Sequence, residues 1–224
     1  MSLTGVFLVC SVVPLLFGLW AQFQVKSTFK RYSQVPVASG MTGAQAAEAV
    51  LRNAGVSGVG IRPVDGQLSD HYDPRSKTLN LSRDVGMEAS VAALGVAAHE
   101  AGHAVQDARN YRPMQIRSTL VPAASIGSQL WIFPAFIGLI LGSTGLVNVG
   151  LVLFLAVVLF QLVTLPVEFD ASHRAVVALE GGGLLGAAEL DGARKVLRAA
   201  ALTYIAALAA SIGQLIYFFV ASRR

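Results

Sequence analysis

Val96-Ala-Ala-His-Glu-Ala-Gly-His-Ala-Val-Gln106 carries His99, Glu100 and His103 in the pattern H-E-x-x-H. Residues four apart on an α-helix lie one turn apart on the same face, so the two imidazoles can bind one metal ion with Glu100 beside it. Zinc takes neutral imidazole nitrogens, and a site with three protein ligands keeps a fourth position for a water whose pKa the metal lowers. Glu100 is then placed to take the proton of that water and hand it to a leaving amine. The bland alternative is a chance pentapeptide on a buried helix, which ordinary residue frequencies allow in on the order of 1% of chains this long. The rest of the chain has to decide.

A mean hydropathy of +0.60, with 54% hydrophobic and only 13% charged residues, is too apolar for a typical soluble domain and reads as an integral membrane protein. The single cysteine, Cys10, excludes an internal disulfide and a cysteine-based zinc cluster. The formal net charge of +4 is spread along the chain without an aromatic-plus-basic platform, so no nucleic-acid partner is indicated.

Leu3 to Phe23 is an uncharged apolar run long enough to cross a bilayer, followed by Lys26, Lys30 and Arg31. No basic stretch precedes it, so a retained anchor is expected rather than a cleaved signal peptide. From Lys26 to about Ser118 the composition is that of a soluble domain. Thr42 caps a helix that stops at Gly55, Val59 to Val64 and Thr78 to Ser82 are strand candidates, and residues 70–77 form a polar hairpin between them. The strand just before the H-E-x-x-H helix could offer an edge to an extended peptide. That helix should begin between Gly86 and Ser90 and end near Asn110, before Arg112-Pro113. Asp107, one turn beyond His103, is a candidate to orient it. Two further apolar spans, Leu120 to Leu141 and Leu146 to Leu165, are joined by Gly142-Ser-Thr-Gly145, and a fourth runs from about Ala199 to Val220. Gln129, Asn148 and Gln161 within these spans read as helix-to-helix hydrogen bonds.

The expected fold is therefore mainly α. It is a multi-pass helical membrane protein with about four transmembrane helices and a small α+β, zincin-like cytoplasmic metalloprotease domain. Residues 1–25 form the first transmembrane helix, 26–118 the domain with the short sheet and the H-E-x-x-H helix, and 119–166 a transmembrane hairpin. Residues 167–198 form a cytoplasmic helical segment and 199–224 the last transmembrane helix. Four spans put 26–118 and 167–198 on one face, which carries fifteen of the seventeen Lys and Arg residues and leaves only Arg223 and Arg224 opposite. The excess of positive charge on the inner side places that face in the cytoplasm.

Two histidines do not complete a zinc site, and the third ligand must come from the same face. His71, His173 and Glu168 are the candidates. Gluzincin peptidases supply a glutamate from a helix downstream of H-E-x-x-H, and Glu168 would occupy the first turn of such a helix after Pro166, so it is favoured over either histidine.

Ser69-Asp-His-Tyr-Asp-Pro-Arg-Ser-Lys77, Val96 to Gln106, Phe160-Gln-Leu-Val-Thr-Leu-Pro-Val-Glu-Phe-Asp-Ala-Ser172 and Gly192-Ala-Arg-Lys-Val-Leu-Arg-Ala-Ala-Ala-Leu-Thr-Tyr204 together resemble the bacterial YugP-type family of neutral zinc metallopeptidases. The resemblance covers nearly the whole chain. It is more distant to HtpX-type heat-shock proteases and CAAX prenyl proteases, which also pair H-E-x-x-H with a later glutamate across membrane spans. The resemblance implies a multi-pass zinc endopeptidase of the bacterial cell membrane, with one Zn2+ held by His99, His103 and Glu168 and with Glu100 as base. Where gluzincins often carry an acidic residue four positions after the ligand glutamate, this chain has Ser172. Asp170 is about 200° around a helix from Glu168 and cannot take over without a break in the helix. Asp107, Ser172 or a backbone carbonyl are the candidates to orient the metal-binding histidines. His71, Tyr72, His173 and Arg174 are the candidates to stabilise an oxyanion.

The closeness of Glu168 and His103 to apolar spans implies substrates that are proteins or peptides at the lipid bilayer. Two rival readings stay open: a catalytically silent or latent scaffold that keeps the zinc, against which the intact Glu100 argues, and a zinc hydrolase acting on lipid.

Overall fold

In the computed structural model residues 2–223 are described; Met1 and Arg224, which belong to the terminal ranges above, lie outside them. Helix α1 spans Leu3–Ser33, with a π-helical stretch at Leu8–Val12, and α2 spans Gly43–Asn53. Strands β1 (Gly60–Val64), β2 (His71–Asp73) and β3 (Thr78–Ser82) follow, then the single turn α3 (Arg83–Gly86) and the H-E-x-x-H helix α4 (Val91–Ala108). Helices α5 (Arg112–Leu130), α6 (Ile132–Ile140), α7 (Thr144–Gly181) and α8 (Ala187–Ala221) complete the chain. Among the described residues, four helical stretches are long and apolar enough to cross a membrane: α1, α5 with α6, α7 and α8.

The chain divides into two compact units. One comprises Met1–Gln22, Gln115–Pro166 and Leu202–Arg224, the other Phe23–Met114 and Val167–Ala201. In the first unit, α5 and α6 are separated at Trp131 because Pro134 has no N–H to give the carbonyl of Leu130. Glycines let the helices of the hairpin approach closely: a Cβ on Gly127 would meet the carbonyl oxygen of Leu153 at 2.4 Å, and one on Gly138 the nitrogen of Val147 at 2.6 Å. Gln129 donates to Ser125 Oγ, one turn back on its own helix, rather than across to a neighbour as expected.

In the second unit, the Thr42 hydroxyl and Gln45 side chain cap α2 reciprocally, and the Ser90 hydroxyl accepts from the N–H of Ala93 to start α4. The sheet has strand order β1-β3-β2, with β1 parallel and β2 antiparallel to β3. The Asp73 carboxylate accepts from the N–H of Arg75 and the hydroxyl of Ser76, closing the turn between β2 and β3. Leu79 sits opposite both Ile61 and Tyr72 at the sheet centre and is fully buried with Leu94 of α4. Burial of each such leucine contributes about 1.5–3 kcal/mol.

Two expectations are corrected. The strand immediately before the H-E-x-x-H helix, β3, is the central strand and has no free edge; the edge strands are β1 and β2. Glu168 also does not open a new helix after Pro166. The helix α7 runs unbroken from Thr144 to Gly181 through that proline. A proline removes one helical hydrogen bond, whereas ending the helix beside an apolar run would leave several carbonyls unpaired.

Candidate metal centre

On α4, His99, His103 and Gln106 share one face, and the next face around holds Glu100 and Asp107. α7 packs against α4 through Gly102, where a Cβ would lie 2.7 Å from the carbonyl oxygen of Ala171. That close approach brings Glu168 to the imidazoles. His99 Nε2 is 3.2 Å and His103 Nε2 3.6 Å from Glu168 Oε2, and one ligand atom from each of the three residues lies within 4.8 Å of the others. His71 and His173 are not in this group.

Glu168 is only 2% exposed, and a carboxylate that deep needs positive charge against it. A neutral imidazole with its proton on Nδ1 would set its Nε2 lone pair against a carboxylate oxygen with no hydrogen between them, and in that tautomer the contact calls for a proton or a metal cation at its centre. His103 responds in that direction: burial opposes its charge, but the hydrogen bond to Glu168 and the charges of Glu100 and Glu168 outweigh burial and hold its pKa above the ordinary value. Two ligands each about 2.0–2.1 Å from a tetrahedral zinc are about 3.4 Å apart, which the observed 3.2 and 3.6 Å match. The donor set, two imidazoles and a carboxylate, is one zinc takes.

The outer nitrogens of both histidines are engaged. Ser172 Oγ is 3.1 Å from His99 Nδ1, so the residue standing where gluzincins often carry an acid does face a histidine of the cluster. His103 Nδ1 is 3.0 Å from Gln106 Oε1, and Gln106 Nε2 donates to the carbonyl of Val167 and to Asp170 Oδ2, each at 2.8 Å. Asp170 thus reaches His103 through Gln106 with α7 unbroken. Sequence reasoning missed Gln106; its position three residues after His103, on the same helix face, is the signal that could have found it.

Glu100 is buried, and its Oε2 accepts from the backbone N–H of Tyr72 at 3.1 Å. Asp107 makes its hydrogen bonds elsewhere than to His103, whose Nδ1 faces Gln106. It accepts from the Tyr72 hydroxyl at 2.7 Å and pairs with Lys77. His71 is turned to the Ser69 carbonyl at 2.8 Å and the Asn80 amide at 3.2 Å. Arg174 pairs with Asp170 and lies over the Tyr111 ring. Arg174 and His173 line a groove of about 780 Å³ that also takes in Asn53, Asp170 and Val177 and none of the three clustered residues.

The family model described as "Putative neutral zinc metallopeptidase" matches residues 7–223. The chain belongs to this family. A relative from Bacillus subtilis (strain 168) named "Putative membrane protease YugP" is 42% identical to this zinc metallopeptidase family member over 212 residues, covering 95% of this chain and 94% of that one. No solved structure matches. Membership agrees with the resemblance read from the four sequence strings, and with a membrane protein built mainly of helices with a small mixed sheet.

Proposed function

We propose that this protein is a membrane-embedded zinc endopeptidase in which His99, His103 and Glu168 hold one Zn2+ and Glu100 is the general base. The observation that carries the proposal is the convergence of His99 Nε2, His103 Nε2 and Glu168 Oε2, with Glu100 one residue away on the same helix. Zinc, when bound, supplies a Lewis acid that polarises the scissile carbonyl and acidifies the attacking water. Glu100 takes a proton from that water as its oxygen bonds the carbonyl carbon, and delivers the proton to the amide nitrogen as the C–N bond breaks. The Tyr72 N–H holds the Glu100 carboxylate on the side of β2. Ser172 and Gln106 hold the two imidazoles from behind. The open side of β2 is the candidate edge for an extended substrate.

On this reading residues 26–118 and 167–198 are the catalytic part, and 1–25, 119–166 and 199–224 the membrane part. The concentration of Lys and Arg in the catalytic part supports a cytoplasmic orientation. Glu168 follows the apolar run ending at Leu165 by three residues, which supports membrane proteins, cut close to the bilayer, as substrates. The test is cleavage of an unstructured model protein by detergent-purified protein. The reading expects cleavage that a chelator abolishes, zinc restores and Glu100→Gln lacks. Stoichiometric zinc without cleavage by the wild type would replace it with the scaffold reading.

A further inference from the structure

We infer that Gln106 is a positioning residue that locks His103 in the tautomer carrying its proton on Nδ1, so that the Nε2 lone pair is committed to the metal. This rests on the metal reading above. Gln106 is fully buried, and a side-chain amide has one end that donates two hydrogens and one that only accepts. Its partners dictate which end lies where. The Val167 carbonyl only accepts, and so does the Asp170 carboxylate, which is paired with Arg174 at 2.5 and 3.3 Å. Both lie at the same end of the amide, so that end is the NH2 group and both its hydrogens are used. Oε1 is left facing His103 Nδ1 at 3.0 Å, and an oxygen with no hydrogen obliges Nδ1 to donate. A neutral imidazole with its proton on Nδ1 keeps its lone pair on Nε2, the atom that faces Glu168.

The same argument does not extend to His99. Its Nδ1 meets the Ser172 hydroxyl, which donates or accepts as required and so dictates no tautomer. Of the two imidazoles, His103 is the one whose metal-facing nitrogen is set by the fold. The device also spans two helices, since Val167 and Asp170 lie three residues apart on α7. Gln106 therefore ties the imidazole on α4 to the helix that supplies Glu168.

The test is zinc affinity, measured by competition with a chromophoric chelator in detergent, for the wild type, Gln106→Leu, Gln106→Glu and Gln106→Glu combined with Asp170→Asn. Loss of the partner of a metal-binding histidine is expected to weaken zinc binding about 10–100-fold in Gln106→Leu. Gln106→Glu should also weaken it, because a carboxylate would face Val167 O and Asp170 with no hydrogen to offer. Adding Asp170→Asn returns a donor to that contact and should recover about tenfold of the loss. A packing role alone predicts no such recovery. In metal-free wild type with 15N-labelled histidines, at a pH where the imidazole is neutral, NMR should show the His103 proton on Nδ1, a readout that needs no variant to fold and in which no metal sets the tautomer. Affinity of Gln106→Leu within about threefold of wild type, or the proton on Nε2 in the metal-free protein, overturns the inference while leaving the zinc site standing. A wild type that binds no zinc overturns the metal reading, and the inference falls with it.

Discussion

The backbone N–H of Tyr72 donates to Oε2 of Glu100 across 3.1 Å, so an edge strand grips the carboxylate assigned as base. Replacing Tyr72 by Ala or by Pro removes the ring in both cases, but only Pro removes the N–H. A hydrogen bond to a charged group is worth about 1.5–3 kcal/mol. Peptide cleavage by Tyr72→Pro should therefore fall about tenfold below that of Tyr72→Ala, with zinc content equal in the two. Equal rates would mean that this contact does not position the base.

The phenol of the same residue serves stability instead. Its hydroxyl meets Asp107, which also pairs with Lys77, away from the three clustered residues. Tyr72→Phe should lower unfolding free energy by about 1 kcal/mol and leave cleavage within about threefold, as read from thermal unfolding and turnover in the same detergent.

Gly102 is where α4 and α7 touch, and the nearest atom to an added Cβ would be backbone, the Ala171 oxygen at 2.7 Å. Nothing flexible is there to give way. Gly102→Ala should push Glu168 off the two imidazoles and weaken zinc binding about tenfold or more, although alanine is the better helix former. Unchanged zinc affinity would show that the helices are not held at this spacing.

Asp70 joins the loop before β2 to the end of β3, accepting from the Ser82 N–H at 2.6 Å and the Ser82 hydroxyl at 3.1 Å. Burial raises its pKa and outweighs these two hydrogen bonds, with the Glu100 charge adding to the rise. A carboxyl whose folded pKa lies above its unfolded value favours the fold fully below the unfolded pKa and loses that contribution as pH rises through the folded one. Asp70→Asn keeps an acceptor for the N–H and adds a donor for the hydroxyl without the buried charge. Its thermal stability at pH 7.5 should equal or exceed that of wild type, and the difference should shrink towards pH 4. A large loss at pH 7.5 would contradict this account of the site.

Much of this architecture was legible because its signals are local. Apolar runs marked the spans, Ser90 and the Arg112-Pro113 pair bracketed α4, and H-E-x-x-H placed two imidazoles on one face. Glu168 needed the family pattern as well, since nothing in its own neighbourhood says that a helix sixty-five residues after His103 will meet it. The features that escaped depend on partners distant in sequence. Gln106 reads as an ordinary polar residue until Val167 and Asp170 arrive around its amide. β3 reads as an edge until β1 and β2 flank it. Pro166 reads as a helix boundary because local sterics favour one there, and the cost of leaving carbonyls unpaired beside the apolar run is not a local property. Ser172 stands where a carboxylate was expected, and its contact with His99 Nδ1 predicts that Ser172→Ala weakens zinc binding about tenfold, read by the same chelator competition.

Zinc stoichiometry tests the central claim most directly, by elemental analysis of detergent-purified wild type beside Glu168→Ala and Glu100→Gln. One zinc per chain in wild type and Glu100→Gln, with zinc lost from Glu168→Ala, is the result expected if His99, His103 and Glu168 are the ligands and Glu100 is not. Full zinc in Glu168→Ala would contradict it and move the third ligand elsewhere.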